Sequence, residues 1–479
     1  MDLIQEQAMM MTQPRPGVGG GGEGGYLNVI QRNPRAARAI PEHRAVHITE
    51  CISTFWNILV LVSMQDARRH LAQWAAWEEV AFDLMIYFKW ASDATSLLPT
   101  SSWGGSMFIL FIVPMCWLMN THGLRAGVLT CTLLVAVGTA LRCLSAKTGL
   151  FTVMSHLCAI LVGIAGTLVM AAPPLIAAEW FPPKERTTAT AMAQAFNQFG
   201  NAGSYMEPLL VRSPEDASSS EIRSDIMRLM YIDAGFAAGL FLVVLIYFPT
   251  KPLSPPSVSS THERLDFKES IKSMILNRDL LLVTLSYGVF LGVPGAWMSV
   301  MNFSLQILGI DQDEAMNIGI LTIILSALSA MVSARFTDYL YGYVRGTIII
   351  LIFLTSAFFY WFFLLVWGSI TVTTWQVYVT VVGSNALNFA TAPLFFELAV
   401  ESAYPCSEIM VGGFVTTANN ITGLLFLLLF FINWSGYNWV TYVLLATSSL
   451  SALPLLFVSE GYSRSRIDRP NLSSPYQPI

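Results

Sequence analysis

The chain has 479 residues, 54% of them hydrophobic and only 12% charged, with a mean hydropathy of +0.56 and a formal net charge of −5. Soluble proteins carry about 25% charged residues, and the shortage here runs along the whole length. That excludes a disordered protein, a coiled coil, a secreted disulfide scaffold and a large soluble enzyme, and the acidic balance offers nucleic acid no general attraction.

The chain opens on a tail, 1–50, read as cytosolic and disordered. Its stretch 17–25 is nearly all glycine, a linker with no side chains to bury. No basic flank precedes an apolar core there, so no cleavable signal peptide is expected. Apolar segments follow at 51–77, 94–118, 126–144, 150–178, 187–211 and 230–248, forming a first six-helix half over 51–248. The first of them is poor, because Asp66, Arg68, Arg69 and His70 precede Trp74 and Trp77. Each charge at a span centre costs about 2.5–3.5 kcal/mol on insertion scales. The break at 249–279, rich in proline, serine and charge, reads as a central cytosolic loop. Six more segments, 280–305, 315–334, 346–367, 371–400, 410–432 and 438–458, form a second half over 280–458, and 459–479 is a second cytosolic tail. The expected fold class is all-α: a multi-pass membrane protein of 12 transmembrane helices arranged as two six-helix halves.

Basic residues orient the chain. With both termini in the cytosol, 18 of the 26 lysines and arginines fall on that side, among them Arg125, Arg186, Arg345, Arg464, Arg466 and Arg469. Acids gather opposite, at Glu215, Asp216, Glu221, Asp225, Asp311, Asp313 and Glu314. The halves also repeat. Ala172-Pro173 recurs as Ala392-Pro393, Pro182-x-x-Glu185 as Pro405-x-x-Glu408, Asn197-x-x-Gly200 as Asn420-x-x-Gly423, and Gly123-x-Arg125 as Gly342-x-x-Arg345. Four matches in order on corresponding segments point to the duplicated unit of the major facilitator fold, with a substrate site between the halves at mid-membrane.

Polar side chains inside spans are costly and mark candidate pathways. Gln194, Asn197, Gln198, Asn201 and Tyr205 recur at helical spacing in the fifth span, as a substrate stripe or as interhelical hydrogen-bond glue. Thr416, Thr417, Asn419 and Asn420 answer them in the eleventh. Trp103, Tyr287 and Trp297 offer aromatic faces to a planar ring or an organic cation, or serve as interfacial anchors. Glu397 and Glu401 lie four residues apart on one helix face. Two desolvated carboxylates there do not both ionise comfortably, which suits proton coupling; alternatively Glu401 caps the next turn or pairs with a cytosolic base. Glu185 and Glu408, just ahead of helices, read as N-terminal caps. The six cysteines, Cys51, Cys116, Cys131, Cys143, Cys158 and Cys406, show no metal-like pairing and read as small buried hydrophobes. No metal or cofactor is expected.

The stretch 172–191, APPLIAAEWFPPKERTTATA, resembles the fourth-to-fifth-span signature of solute carrier family 49, and 395–405, FFELAVESAYP, its tenth-span signature. The segments 247–258 and 292–297, with Ser369-Ile-Thr371, look most like the family's renal-carcinoma branch. That resemblance implies a lysosomal carrier moving pyridoxine (vitamin B6) with protons. The run Asn197-Gln198-Phe-Gly-Asn201 is closer to the choline branch, where the glutamine at the place of Gln198 lines the choline site, so a choline or ethanolamine carrier is the alternative. Asn120 stands where the major facilitator pattern has an acid, which Asp338 keeps in the second half.

The chain ends Tyr476-Gln-Pro-Ile479, a tyrosine-based sorting pattern for a clathrin adaptor. Lysosome membrane is the expected location, with the plasma membrane as the alternative. Besides the adaptor, the expected partners are a small-molecule substrate, protons and membrane lipid. A multispan enzyme needs a catalytic constellation, and the six histidines mostly lie in loops.

Overall fold

The computed structural model describes residues 97–145, 148–195, 219–248, 257, 259–298, 300–310, 312–339, 342–429, 438–459 and 461–468. The expected first span, the 1–50 tail and the far part of the fifth span lie outside the described residues. In the first half, α1 (Leu97–Arg142) carries both the second and third predicted spans. Its 46 residues would reach about 69 Å at 1.5 Å per residue, over twice the bilayer core of about 30 Å. Gly123 divides it, leaving helical geometry at φ 81° and ψ 174°, a backbone region that an L side chain resists. The fourth span is α2 (Thr148–Ala171) and α3 (Pro173–Trp180), and α4 (186–195) opens the fifth. The sixth, α5 (Ser219–Tyr247), begins well before its predicted start and takes Glu221 into its first turn.

The predicted central loop is partly built. Helix α6 (Phe267–Leu276) buries Ser270 and Met274, and Leu265 N–H donates to Pro405 O at 3.3 Å. The second half continues with α7 (Arg278–Met298), the separate short α8 (Met301–Ile307), α9 (Gln312–Tyr339), α10 (Val344–Val366), α11 (Thr374–Ala390), α12 (Ala392–Ala403), α13 (Glu408–Leu428), α14 (Trp439–Leu450) and α15 (Ala452–Leu456). A last helix, α16 (Ser463–Asp468), lies in the predicted cytosolic tail. Among the described residues, eight helices are long and apolar enough to cross a membrane, and Met230–Ile246 is a shorter apolar one.

The sequence repeats reappear as geometry. Ala172-Pro173 and Ala392-Pro393 sit where α2 gives way to α3 and α11 to α12, each proline at the start of the resumed helix. Proline lacks an N–H and clashes with the preceding turn, but it is tolerated in a first helical turn. Gly342, with φ 94°, matches Gly123 at the turn into α10. Arg125 then donates to Leu245 O at 3.1 Å near the end of α5, and Arg345 donates likewise to Val458 O after α15. Each arginine thus satisfies a carbonyl near the end of its own half's last span.

Arg125, Arg186, Arg264, Arg345 and Arg464 lie at one end of the bundle, the basic face. The larger core cluster joins both halves, with Ile112 and Leu168 of the first and Phe395 and Val411 of the second. A smaller cluster around Trp297, Phe359 and Phe426 belongs to the second half alone. Leu110, Ile246, Val332, Phe353 and Leu425 are exposed, as apolar side chains facing lipid should be.

Candidate substrate site and basic-face gate

Helix α13 is where the second half leans on the first. A Cβ on Gly412 would stand 2.3 Å from Ala171 O and 3.1 Å from Pro174 Cγ, so only glycine allows this approach. Nearby, Cys116 Sγ donates to Ile409 O at 3.6 Å and Thr416 Oγ1 to Met170 O at 3.4 Å. From Glu408 to Thr416 this seal runs about 12 Å into the membrane from the basic face.

Charged groups close the same end. Arg186, the first residue of α4, holds Asp468 Oδ2 at 2.9 Å and reaches Ser259 Oγ at 3.2 Å. Asp468 also accepts from Ser259 N–H and O–H, both at 2.7 Å. Burial alone would raise the Asp468 pKa, but the Ser259 bonds and Arg186 outweigh it and hold the carboxyl below its usual range. Burial, then the nearness of Arg464, pulls the Arg186 pKa down against Asp468.

Asp338, near the end of α9, reaches across the halves. Its carboxylate accepts from Thr187 N–H at 3.3 Å, Thr188 N–H at 2.8 Å and Thr188 O–H at 2.6 Å. An acid on the first turn of α4 satisfies orphan donors and has the favoured sign for the helix dipole. The acid that the second half keeps at this position thus engages the opposite half.

Glu397 and Glu401 share one cation. Arg464 Nη2 meets Glu397 Oε1 at 2.5 Å and its Nε lies 3.5 Å from Glu401 Oε1, with the arginine side chain 2% exposed. Glu401 also accepts from Arg464 N–H at 3.0 Å and from the Ser465 hydroxyl. Burial works against the charged guanidinium, but Glu397, Glu401 and Glu408 together raise its pKa. The repulsion expected between the two carboxylates therefore meets a guanidinium between them, and Glu401 pairs with a base as its alternative reading had it. Glu408, the first residue of α13, is held by Arg264 through bonds of 2.6 and 3.1 Å.

Three predicted substrate residues fall within about 6 Å of one another in depth. Gln194 is eight residues into α4, Tyr287 nine into α7 and Asn420 twelve into α13. At 1.5 Å per residue these lie about 12, 14 and 18 Å from the basic end, near the middle of a 30 Å core. Gln194 Oε1 is buried without a hydrogen-bond partner, a cost that a ligand donor would relieve. Tyr287 stands edge-on to Phe395 and Phe396 at 5.5 and 5.4 Å. Asn420 Nδ2 donates to Thr416 O at 2.9 Å.

Trp297 is placed differently. It is fully buried against Phe359 and Phe362, and its indole N–H donates to Ser304 Oγ at 3.1 Å, so its one polar atom is already used. Asn197, Gln198, Asn201, Tyr205, Tyr476 and Ile479, and the Trp103 side chain, lie outside the described residues. Sequence reasoning missed Asn385 and Asn388, fully buried in α11, where Asn388 Nδ2 donates to Phe290 O at 2.7 Å. Two amides in one apolar span were the available signal. It also missed Asp468 as a gate residue, for which no local pattern exists.

Residues 52–427 match the profile of the Major Facilitator Superfamily. The chain is similar to a Solute carrier family 49 member 4 homolog of Xenopus tropicalis, 30% identical over 429 residues, which cover 86% of this chain and 92% of that one. It is also similar to Choline/ethanolamine transporter FLVCR1 of Mus musculus, 30% identical over 345 residues, covering 67% and 60%. Among solved structures, the transporter FucP in the outward conformation matches with a TM-score of 0.60 at 15% identity, over 86% of this chain and 98% of that one.

Proposed function

We propose, from the premise that this chain belongs to the Major Facilitator Superfamily and within it to solute carrier family 49, that it moves pyridoxine with protons out of an acidic lumen into the cytosol. The family is one of carriers, which removes the multispan-enzyme alternative. The observation that carries the reading is a sealed basic end with an unpartnered amide oxygen, a tyrosine and an asparagine at mid-depth behind it. A small aromatic ring bearing hydroxyls suits that set: Tyr287 offers a ring edge, Gln194 an acceptor and Asn420 an amide. The basic face is then the cytosolic one. The sealed state is the one that receives solute from the lumen, and rocking the halves apart at α13 releases it.

The second reading is a choline or ethanolamine carrier. It is favoured by the similarity to choline/ethanolamine transporters and by Gln198. The Tyr476–Ile479 ending supports delivery to the lysosome membrane through a clathrin adaptor.

The test places the luminal face outside the cell. Tyr476→Ala with Ile479→Ala should favour surface delivery, confirmed by surface labelling, and labelled pyridoxine and choline uptake are measured at about pH 5.5 and 7.5. Faster pyridoxine entry at the acidic pH, competed by unlabelled pyridoxine, supports the reading. Choline entry regardless of pH, without pyridoxine flux, moves the chain to the second reading.

A further inference from the structure

Among the described residues, the gate and the mid-depth groups leave the buried acid Asp233 unused. Asp233 is the acid of the apolar stretch Met230–Ile246. It is 1% exposed, and both carboxylate oxygens are shut from solvent without a hydrogen bond. Counted back fourteen residues from Tyr247, it lies about 21 Å from the basic end. That is past the middle of a 30 Å core, on the side away from the gate.

Among the described residues, the charged and titratable groups around it are few. From α1, Arg142 is 3% exposed and within electrostatic reach of Asp233, its Nη1 resting 3.9 Å from Met230 Sδ. Cys143, just after α1, donates to Met230 O at 3.3 Å. From α2, Cys158 faces both Arg142 and Asp233. On α5 itself, Asp225 is occupied with Arg228 at 3.6 Å, and Tyr231 is exposed. Glu397 and Glu401, by contrast, have a cation and several donors between them.

We propose that Asp233 is a proton-binding carboxylate of this carrier, loaded from the side opposite the gate and emptied when Arg142 closes onto it. An ionised carboxylate without partners in an apolar interior carries a penalty of several kcal/mol, and an added proton removes the charge. When the halves rock and the Arg142 guanidinium swings onto the carboxylate, the ion gains the partner it lacks here. The Asp233 O–H bond then breaks, its electron pair stays on the carboxylate, and the proton passes to water. One side-chain movement thereby links the protonation of α5 to the packing of α1 against it.

The inference rests on the reading that carriage is proton-driven, so its test has an arm independent of any cargo. Infrared difference spectra of the purified full chain are recorded for the native protein and for Asp233→Asn. The carbonyl stretch of a protonated carboxylic acid, present in the native chain, is expected to be missing from the variant; its persistence unchanged in Asp233→Asn overturns the proposal. In proteoliposomes, labelled pyridoxine uptake is compared at about pH 5.5 and 7.5. The ratio of the two rates should fall to unity in Asp233→Asn, while exchange of labelled for unlabelled pyridoxine continues. Asp233→Glu, which keeps the acid, should retain both the band and the ratio, and guards against a variant that merely misfolds. A native chain that shows the band but moves no pyridoxine would refute the cargo and leave the proton site standing. An undiminished ratio in Asp233→Asn refutes the proton site and leaves the cargo standing.

Discussion

Arg186 of the first half and Asp468 of the tail helix α16 meet at 2.9 Å, with side chains only 2% and 1% exposed. The pair ties the start of α4 to α16, and Ser259 of the central segment completes it. Three separated parts of the chain are thereby locked at the basic face, and α16 holds both halves because Arg464 reaches Glu397 and Glu401 from the same helix.

Removing one partner of a buried ion pair costs roughly 3–5 kcal/mol, so Asp468→Asn should shift the carrier toward a form open at the basic face. Cys116, sealed under α13, is a native reporter. Its labelling by a membrane-impermeant thiol reagent applied from the basic side, followed by mass spectrometry, should rise at least ten-fold. The double exchange Arg186→Asp with Asp468→Arg should recover part of the protection, and equal labelling in native and Asp468→Asn chains would refute the gate.

Gly412→Val forces atoms into the 2.3 Å gap to Ala171 O. Backbone cannot yield as a flexible side chain does, and overpacking typically costs about 1–3 kcal/mol. The expected result is again faster Cys116 labelling, now with the ion pairs chemically intact. Transport that stays normal together with unchanged labelling would show that α13 need not approach so closely.

The Arg186–Asp468 contact of the gate should be insensitive to pH across the physiological range. Asp468 is held below its ordinary value, so its contribution is complete above the unfolded value of about 3.9 and is lost only as pH falls through the lower folded one. Arg464 is raised by Glu397 and Glu401, so its charge, present below the ordinary arginine range, is lost only as pH rises through a still higher folded value. The difference in melting temperature between native and Asp468→Asn chains should therefore stay constant between about pH 5 and pH 8.

Glu397→Gln should loosen the gate while leaving the acid acceleration of uptake in place, because Arg464 compensates this carboxylate. The ratio of uptake at the two pH values decides it. Loss of the ratio with normal protein abundance would return proton coupling to Glu397.

At mid-depth, Gln194→Ala should raise the apparent KM for pyridoxine about ten-fold, the equivalent of one hydrogen bond of roughly 1.4 kcal/mol. Trp297→Phe should leave KM unchanged and lower the melting temperature instead, since its indole is spent on Ser304.

Hydropathy, proline breaks and repeated glycine–arginine turns are local properties, and they determined the described spans, the two-fold repeat and the depth of Gln194, Tyr287 and Asn420. A helix carries its length and its breaks in its own residues, so Ala172-Pro173 and Ala392-Pro393 were readable in advance. The partners of those helices were not. Arg186 and Asp468 are 282 residues apart and Asp338 and Thr188 are 150, and nothing near either member names the other. Glu397 and Glu401 looked like a repelling pair because their spacing was visible and Arg464 was not. Only the packing of α16 under α12 decided that they share a cation, and only the burial of α5 against α1 decided that Asp233 has none in contact.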